Sequence, residues 1–283
     1  MPRPSRTIAV FFHENDRKRL QSYAVTYLSE FWRQDGNRVR YVFGVRKQTP
    51  ADLLLIHVDL SVVPDEYLDF ARRYPIVLNG AARDIRKSVI STNLLCPGDS
   101  HPGGVIVKSN LNDCGAPERS LRAAPTWRRR LRRALRRRAD EDPAFPTPLD
   151  YRIYDRLSEV PRSDFGREDR VVEKFLPEAE GDLFFVRHYE FLGDRSTCTR
   201  LAARHPIVKD QTVVRCEDVE PHPEIVETRK RLGFDYGKFD YTVHDGRPVL
   251  LDANKTTGAD RLSTRELDVR RRRRADGIYS YFR

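Results

Sequence analysis

The chain has only four cysteines in 283 residues, and Cys96, Cys114, Cys198 and Cys216 stand far apart with no CxxC or Cys/His pairing. That pattern argues against a structural zinc site and against a disulfide framework. It suits a soluble cytoplasmic protein with reduced thiols. No apolar run approaches the ~20 residues that a membrane span requires, and none follows the basic start as a signal peptide would demand. The seven histidines are scattered, and no Ser/His/Asp or Cys/His constellation is present.

What is there suffices for cores. A hydrophobic fraction of 39%, with 10% aromatic residues, supports two lobes or one large domain with a second packed on it. The net charge of +10 is concentrated in two arginine blocks, 128–138 and 270–274. Such blocks fit either a polyanion partner or a solvated basic helix or loop. Neither is interleaved with aromatics able to stack on bases, which favours the second reading.

Strand and helix signals alternate through the first ~95 residues. Residues 7–12 (TIAVFF) read as a buried parallel strand. Leu20, Tyr23, Ala24, Tyr27, Leu28, Phe31 and Trp32 recur at helical spacing up to Asp35-Gly36. Strands are expected at 38–45, 53–57 and 76–78, with a helix over 64–74. The alternation implies a mostly parallel α/β sheet. Another strand, 105–108, follows Gly103-Gly104. From about 119 to 148 the pattern dissolves into the larger arginine block and several X-Pro steps, and this stretch is read as an irregular insertion. Strands at 171–176 and 183–192 flank a turn at 180–182, and a helix at 223–232 leads into a hairpin over 238–254.

Alternation in 238–243 points Asp240 and Thr242 one way and Phe239, Tyr241 and Val243 the other. Asp245-Gly246 is the turn signal, and Asp252 and Asn254 share a face of the returning strand. A two-residue loop would set Asp240 and Asp252 on opposite faces. A three-residue loop at 245–247, or a bulge, would bring them together. Two carboxylates and an amide oxygen then suit a hard cation such as Mg²⁺, with substrate phosphates completing its shell.

The run 232–258, with Asp240 followed by Asp252-x-Asn254, resembles the closing segment of ATP-grasp enzymes, where such residues hold magnesium against ATP phosphates. The family more often has Glu at the place of Asp252. Upstream, Val105-Ile-Val-Lys108 resembles the strand whose lysine reaches the phosphates, and Lys87 takes the place of an earlier phosphate-contacting lysine. The loop 109–115 matches the phosphate-covering loop but has a single glycine. Glu173, Lys174, Phe175 and Leu176 resemble the hinge strand that binds adenine through backbone groups. Glu178 or Glu180 would then meet the ribose. Arg187 and Lys209 lie where the family faces cations toward phosphate or substrate, and His188, alternating with Arg187, is expected to face away.

The resemblance implies an N-terminal α/β lobe at 1–95. A first grasp subdomain at 96–176 and a second at 177–283 would clasp ATP with one or two Mg²⁺ ions. It further implies a ligase that activates a carboxylate as an acylphosphate for attack by an amine or thiol. The basic balance leans toward an acidic substrate, small molecule or peptide, with no membrane partner. Two alternatives stand beside it. One is a degenerate member acting as a nucleotide- or partner-binding module, and the weaker one is a nucleic-acid binder using the 128–138 block.

Overall fold

The computed structural model describes residues 4–121, 145–259 and 264–282. Strand β1 (Thr7–Phe12) is apolar throughout and sits inside a parallel sheet with β2 (Arg38–Phe43), β3 (Leu53–Ile56) and β4 (Val77–Leu78). The order is β2-β1-β3-β4. Because side chains alternate along β1, it feeds two cores. Ile8, Val10 and Phe12 meet Val25, Leu28 and Trp32 of helix α1 (Ala24–Gln34). Ala9 and Phe11 meet Tyr67 and Phe70 of helix α2 (Asp65–Ala71).

The helical spacing that begins at Leu20 is interrupted in the structure. A 3₁₀ turn over Asp16–Ser22 ends at Tyr23, whose backbone is extended, and α1 starts only at Ala24. Tertiary bonds impose the break. Ala24 N–H donates to the Thr257 carbonyl at 2.9 Å, and the Tyr23 hydroxyl reaches back to Asp16.

Helix α3 (Lys87–Ile90) and helix α4 (Ala116–Leu121) flank β5 (Val105–Ser109) in sequence. With β6 (Arg152–Tyr154) and β7 (Arg170–Lys174), β5 forms a three-stranded antiparallel sheet of order β6-β5-β7. Val105, Val107 and Val172 turn into a core with Leu95 and Phe145, which leaves Ile106 and Lys108 on the opposite face.

The largest sheet is antiparallel. It contains β8 (Glu178–Glu180), β9 (Leu183–Leu192), β10 (Arg195–Ala203), β11 (Val213–Asp218), β12 (Tyr236–His244) and β13 (Arg247–Asn254). The order is β11-β10-β9-β12-β13, with β8 on β9. Helix α5 (Pro223–Arg231) covers one face through Ile225, packed with Tyr189, Phe191, Phe239 and Tyr241. Strands β10 and β11 carry no clear sequence signal, because RSTCTRLAA and VVRCED hold too few apolar residues to alternate visibly. They form because β9 offers β10 a ladder and β10 in turn offers one to β11.

Helix α6 (Arg265–Asp276) returns to the parallel layer, where Trp32 Nε1 donates to the Ala275 carbonyl at 2.9 Å. The 270–274 arginine block lies on this helix. Arg270 pairs with Asp218 at 2.6 Å, Arg272 with Asp35 at 2.8 Å, and Arg274 with Glu190 at 2.5 Å. Those ion pairs favour a structural role for this block. The 128–138 block lies outside the described residues.

Candidate active site

The β12–β13 hairpin closes through a two-residue turn, not the three-residue loop expected from sequence. His244 is opposite Arg247, and Asp245 and Gly246 both take positive φ, at 50° and 74°. That turn alone would pair Asp240 with Leu251. A bulge corrects the register: Tyr241 pairs with Leu250, and Asp240 pairs with Asp252, so Leu251 is the extra residue. A bulge leaves a backbone group without its ladder partner, and here Lys108 Nζ donates to the Leu251 carbonyl at 3.0 Å. Gly237 lets the strands close beside Asn254, since a Cβ there would fall 2.4 Å from the Asn254 carbonyl oxygen.

Four lysines and a histidine surround these carboxylates. Lys87, buried at the start of α3, lies 3.1 Å from Asp252 Oδ1. Lys238 lies 3.0 Å from Asp240 Oδ1, Lys209 3.9 Å from Asp240 Oδ2, and His188 Nε2 3.6 Å from Asp240 Oδ1. Burial would raise the Asp240 carboxyl, but Lys238 first, then His188 and Lys209, hold it well below the usual carboxylate range. Burial, aided by Lys238, pushes the His188 imidazole down to about 4 and keeps it neutral. Lys108 is buried against Glu173 at 2.7 Å, and desolvation lowers its pKa despite that partner. Lys255, next along the chain after Asn254, is buried apart from them and donates to the Arg83 carbonyl at 3.2 Å.

Two adjoining cavities meet at Asp240, Asp252 and Lys209. One is an apolar slot walled by Ile106, Phe175, Leu176, Val186, Val208 and Leu251, with Lys87, Lys108, Glu173 and Lys174 also at its edge. Leu251 therefore serves the slot while its neighbour Asp252 serves the carboxylate pair, a consequence of the bulge. The other cavity is polar and lined by Lys238, His188, Asn254, Arg19, Tyr23 and Asp59. In the 173–176 segment, Lys174 N–H donates to Asn93 and Phe175 N–H to Gly104, at 2.9 and 2.8 Å. The Leu176 carbonyl accepts from Thr242 Oγ1 at 3.0 Å.

Several expectations are corrected. Arg187 does not face the carboxylates. It pairs across the ladder with Tyr241 and donates to Glu178 at 2.8 and 3.1 Å. His188, expected to face away, is the residue opposite Asp240. Alternation along β9 was legible in the sequence, but the choice of face is set by pairing with β12. Glu178 also accepts from Arg200 at 2.7 Å and from Val243 N–H at 2.9 Å, and Arg200 holds Glu180 as well. Among the described residues, neither glutamate lines either cavity, and both are held by arginines. Lys238 was missed, although its position two residues before Asp240 on one strand put it on the same face.

The donor set can be tested against a hard dication. Among the described residues no group of three His, Cys, Asp or Glu side chains could hold a metal. What the hairpin supplies is two carboxylates and an amide, and the buried Asp240 Oδ1 meets no aligned hydrogen-bond donor. Asn254 Oδ1 already accepts from Thr256 N–H at 2.8 Å. The set therefore fits Mg²⁺ that arrives with phosphate oxygens, and not a bare ion.

No protein-family model matches the chain, and no curated protein matches it by sequence. Solved structures do match. The D-alanine–D-alanine ligase of Bacillus anthracis, solved with ATP, aligns over 97% of this chain and 96% of its own at 13% identity and TM-score 0.50. The ATP-grasp ligase PsnB, solved with a minimal precursor, aligns over 97% of both chains at 12% identity and TM-score 0.53. With its parallel N-terminal sheet followed by two antiparallel sheets, the chain has the ATP-grasp fold.

Proposed function

We propose that the protein is a Mg-ATP-dependent ligase that converts a carboxylate to an acylphosphate for attack by an amine. The observation that carries this reading is the bulge at Leu251. It sets Asp240 and Asp252 face to face at the junction of an apolar slot and a polar cavity. The slot would take adenine between Ile106, Val186 and Leu251. The polar cavity would take the acid and its acceptor. That two solved proteins of similar fold are ligases, one of them solved with ATP, supports the assignment.

In this reading the protein's work is positioning and charge neutralisation. Lys87, Lys108 and Lys209 neutralise the phosphates from three sides. Mg²⁺, held by Asp240, Asp252 and Asn254, would add further charge stabilisation at the phosphoryl oxygens. Lys238 and the neutral His188 face the space where the acylphosphate forms, Lys238 as the cation and His188 as a hydrogen-bonding group. Each carboxylate is at present balanced by a lysine, so those ammonium groups shift toward phosphate when nucleotide enters.

The test is a thermal-shift series with Mg-ADP on the native chain and on Asp240→Ala. Stabilisation of the native chain alone is the expected result, and equal stabilisation of both would remove the site from these residues. A screen for ADP release over acids and amines then separates a ligase from a binding module.

A further inference from the structure

The N-terminal end of the polar cavity is closed by Arg19, Tyr23 and Asp59. Asp16 lies directly behind Tyr23 and is fully buried. The Tyr23 hydroxyl is 3.0 and 2.9 Å from the two Asp16 oxygens and 3.0 Å from Asp59 Oδ2. A phenol has one proton to donate. It can satisfy one carboxylate, and the remaining contact sets lone pair against lone pair unless a second proton is present. Arg19 offsets one charge, 2.5 Å from Asp59 and 3.7 Å from Asp16. Asp16, fully buried, sharing one hydroxyl and farther from the cation than Asp59, therefore binds a proton more tightly than an ordinary aspartate does.

The surrounding groups do not cancel this. The His57 ring packs edge-on against Tyr23 at 4.7 Å, and burial keeps it neutral, its pKa pushed down to about 4. Thr256 Oγ1 donates to Asp59 Oδ1 at 2.6 Å. Burial pushes the Lys255 ammonium down to about 7, against the charges of Asp84 first and then Asp59 and Glu118. Burial pushes the Asp16 carboxyl up to about 6, in accord with the geometry.

We infer that Asp59, Tyr23 and Asp16 form the proton acceptor for an amine nucleophile that enters the polar cavity at its N-terminal end. The inference rests on the ligase reading. The amine nitrogen attacks the acyl carbon, and the new C–N bond forms as the C–O bond to phosphate breaks. Phosphate leaves with that electron pair. An amine that arrives as its ammonium ion first gives one proton to Asp59 and, by way of the Tyr23 hydroxyl, to Asp16, and the proton lost from nitrogen on attack leaves with the phosphate. Asp59 is the group that meets the amine, and Asp16 is a positioning residue that stores the proton out of solvent.

Two measurements test this. Carbon-13 NMR of the full chain labelled at aspartate carboxyls needs no substrate and therefore reads apart from the ligase assignment. A carboxyl signal titrating near pH 6, about two units above an ordinary aspartate, and missing from Asp16→Asn, supports the proton at Asp16. If no carboxyl of the native chain titrates above about pH 5, the inference is overturned, whether or not the variant folds. The second measurement uses the acid found by ADP release and compares methylamine, protonated at pH 7, with hydroxylamine, which is not. Asp16→Asn should slow methylamine about 10²-fold, the low end for a general base, and leave hydroxylamine within about 3-fold. Equal slowing of both overturns the proton role while leaving the ligase intact.

Discussion

Asp240 and Asp252 meet across β12 and β13 because Leu251 is one residue too many for the ladder. Deleting Leu251 would keep the two carboxylates opposite each other in a regular hairpin. It would also remove a wall of the apolar slot and the carbonyl that Lys108 holds at 3.0 Å. The expected outcome is a loss of ADP affinity of about 10-fold, the value of one lost apolar contact and one buried hydrogen bond. Calorimetry with and without magnesium should show the metal dependence retained.

Lys108 and Glu173 form a buried pair at 2.7 Å, with side chains 5% and 2% exposed. Removing one partner strands the other charge, so Lys108→Met should cost about 3–5 kcal/mol. The double variant Lys108→Met/Glu173→Leu should recover most of that loss. Urea denaturation of the four proteins gives the cycle, and a coupling near zero would mean that the pair is not formed.

Glu178 ties Arg187, Arg200 and the Val243 N–H together. Its pKa lies below the ordinary glutamate value: burial opposes this, and the Arg187 hydrogen bond leads the groups that outweigh it. Glu178→Gln should lower stability by about 2 kcal/mol, as expected for charge-assisted bonds lost from a partly buried site. ADP affinity should stay within about 3-fold. A large rise in the ADP Kd at unchanged stability would return Glu178 to the nucleotide site.

His57 is fully buried with neither ring nitrogen hydrogen-bonded among the described residues. Its pKa of about 4 lies below the ordinary 6.5, so the folded state binds fewer protons than the unfolded state between those values. Stability from this group is complete above about pH 6.5 and lost as pH falls toward 4. His57→Phe should therefore be neutral to stabilising at pH 7, with an advantage that grows to the order of 1–3 kcal/mol at pH 4. Melting curves across that range check it. Asp16, raised to about 6, works in the opposite sense, since its contribution is greatest below pH 3.8 and fades as pH rises through 6.

Much of the fold was legible because its signals are local. The all-apolar β1, the amphipathic α1, and the turn at Asp245-Gly246 each announce themselves within a dozen residues. Strands β10 and β11 were not legible, being polar strands that exist through pairing with a neighbour. The site shows the same division. Lys87, Lys108, Asp240, Asp252 and Asn254 were singled out from sequence, and the structure places them around two cavities that meet at Asp240 and Asp252.

Residue types and their spacing determined which groups could serve a nucleotide and a dication, and they posed the question of the hairpin's register. Only the tertiary structure answered it, through a bulge stabilised by a lysine from another sheet. Pairing between strands likewise decided that His188 faces Asp240, and that Arg187 and Glu178 neutralise each other off the site. The physical reason is common to all three. Alternation along a strand fixes which residues share a face, but which face meets a cavity depends on a partner strand that local sequence does not encode.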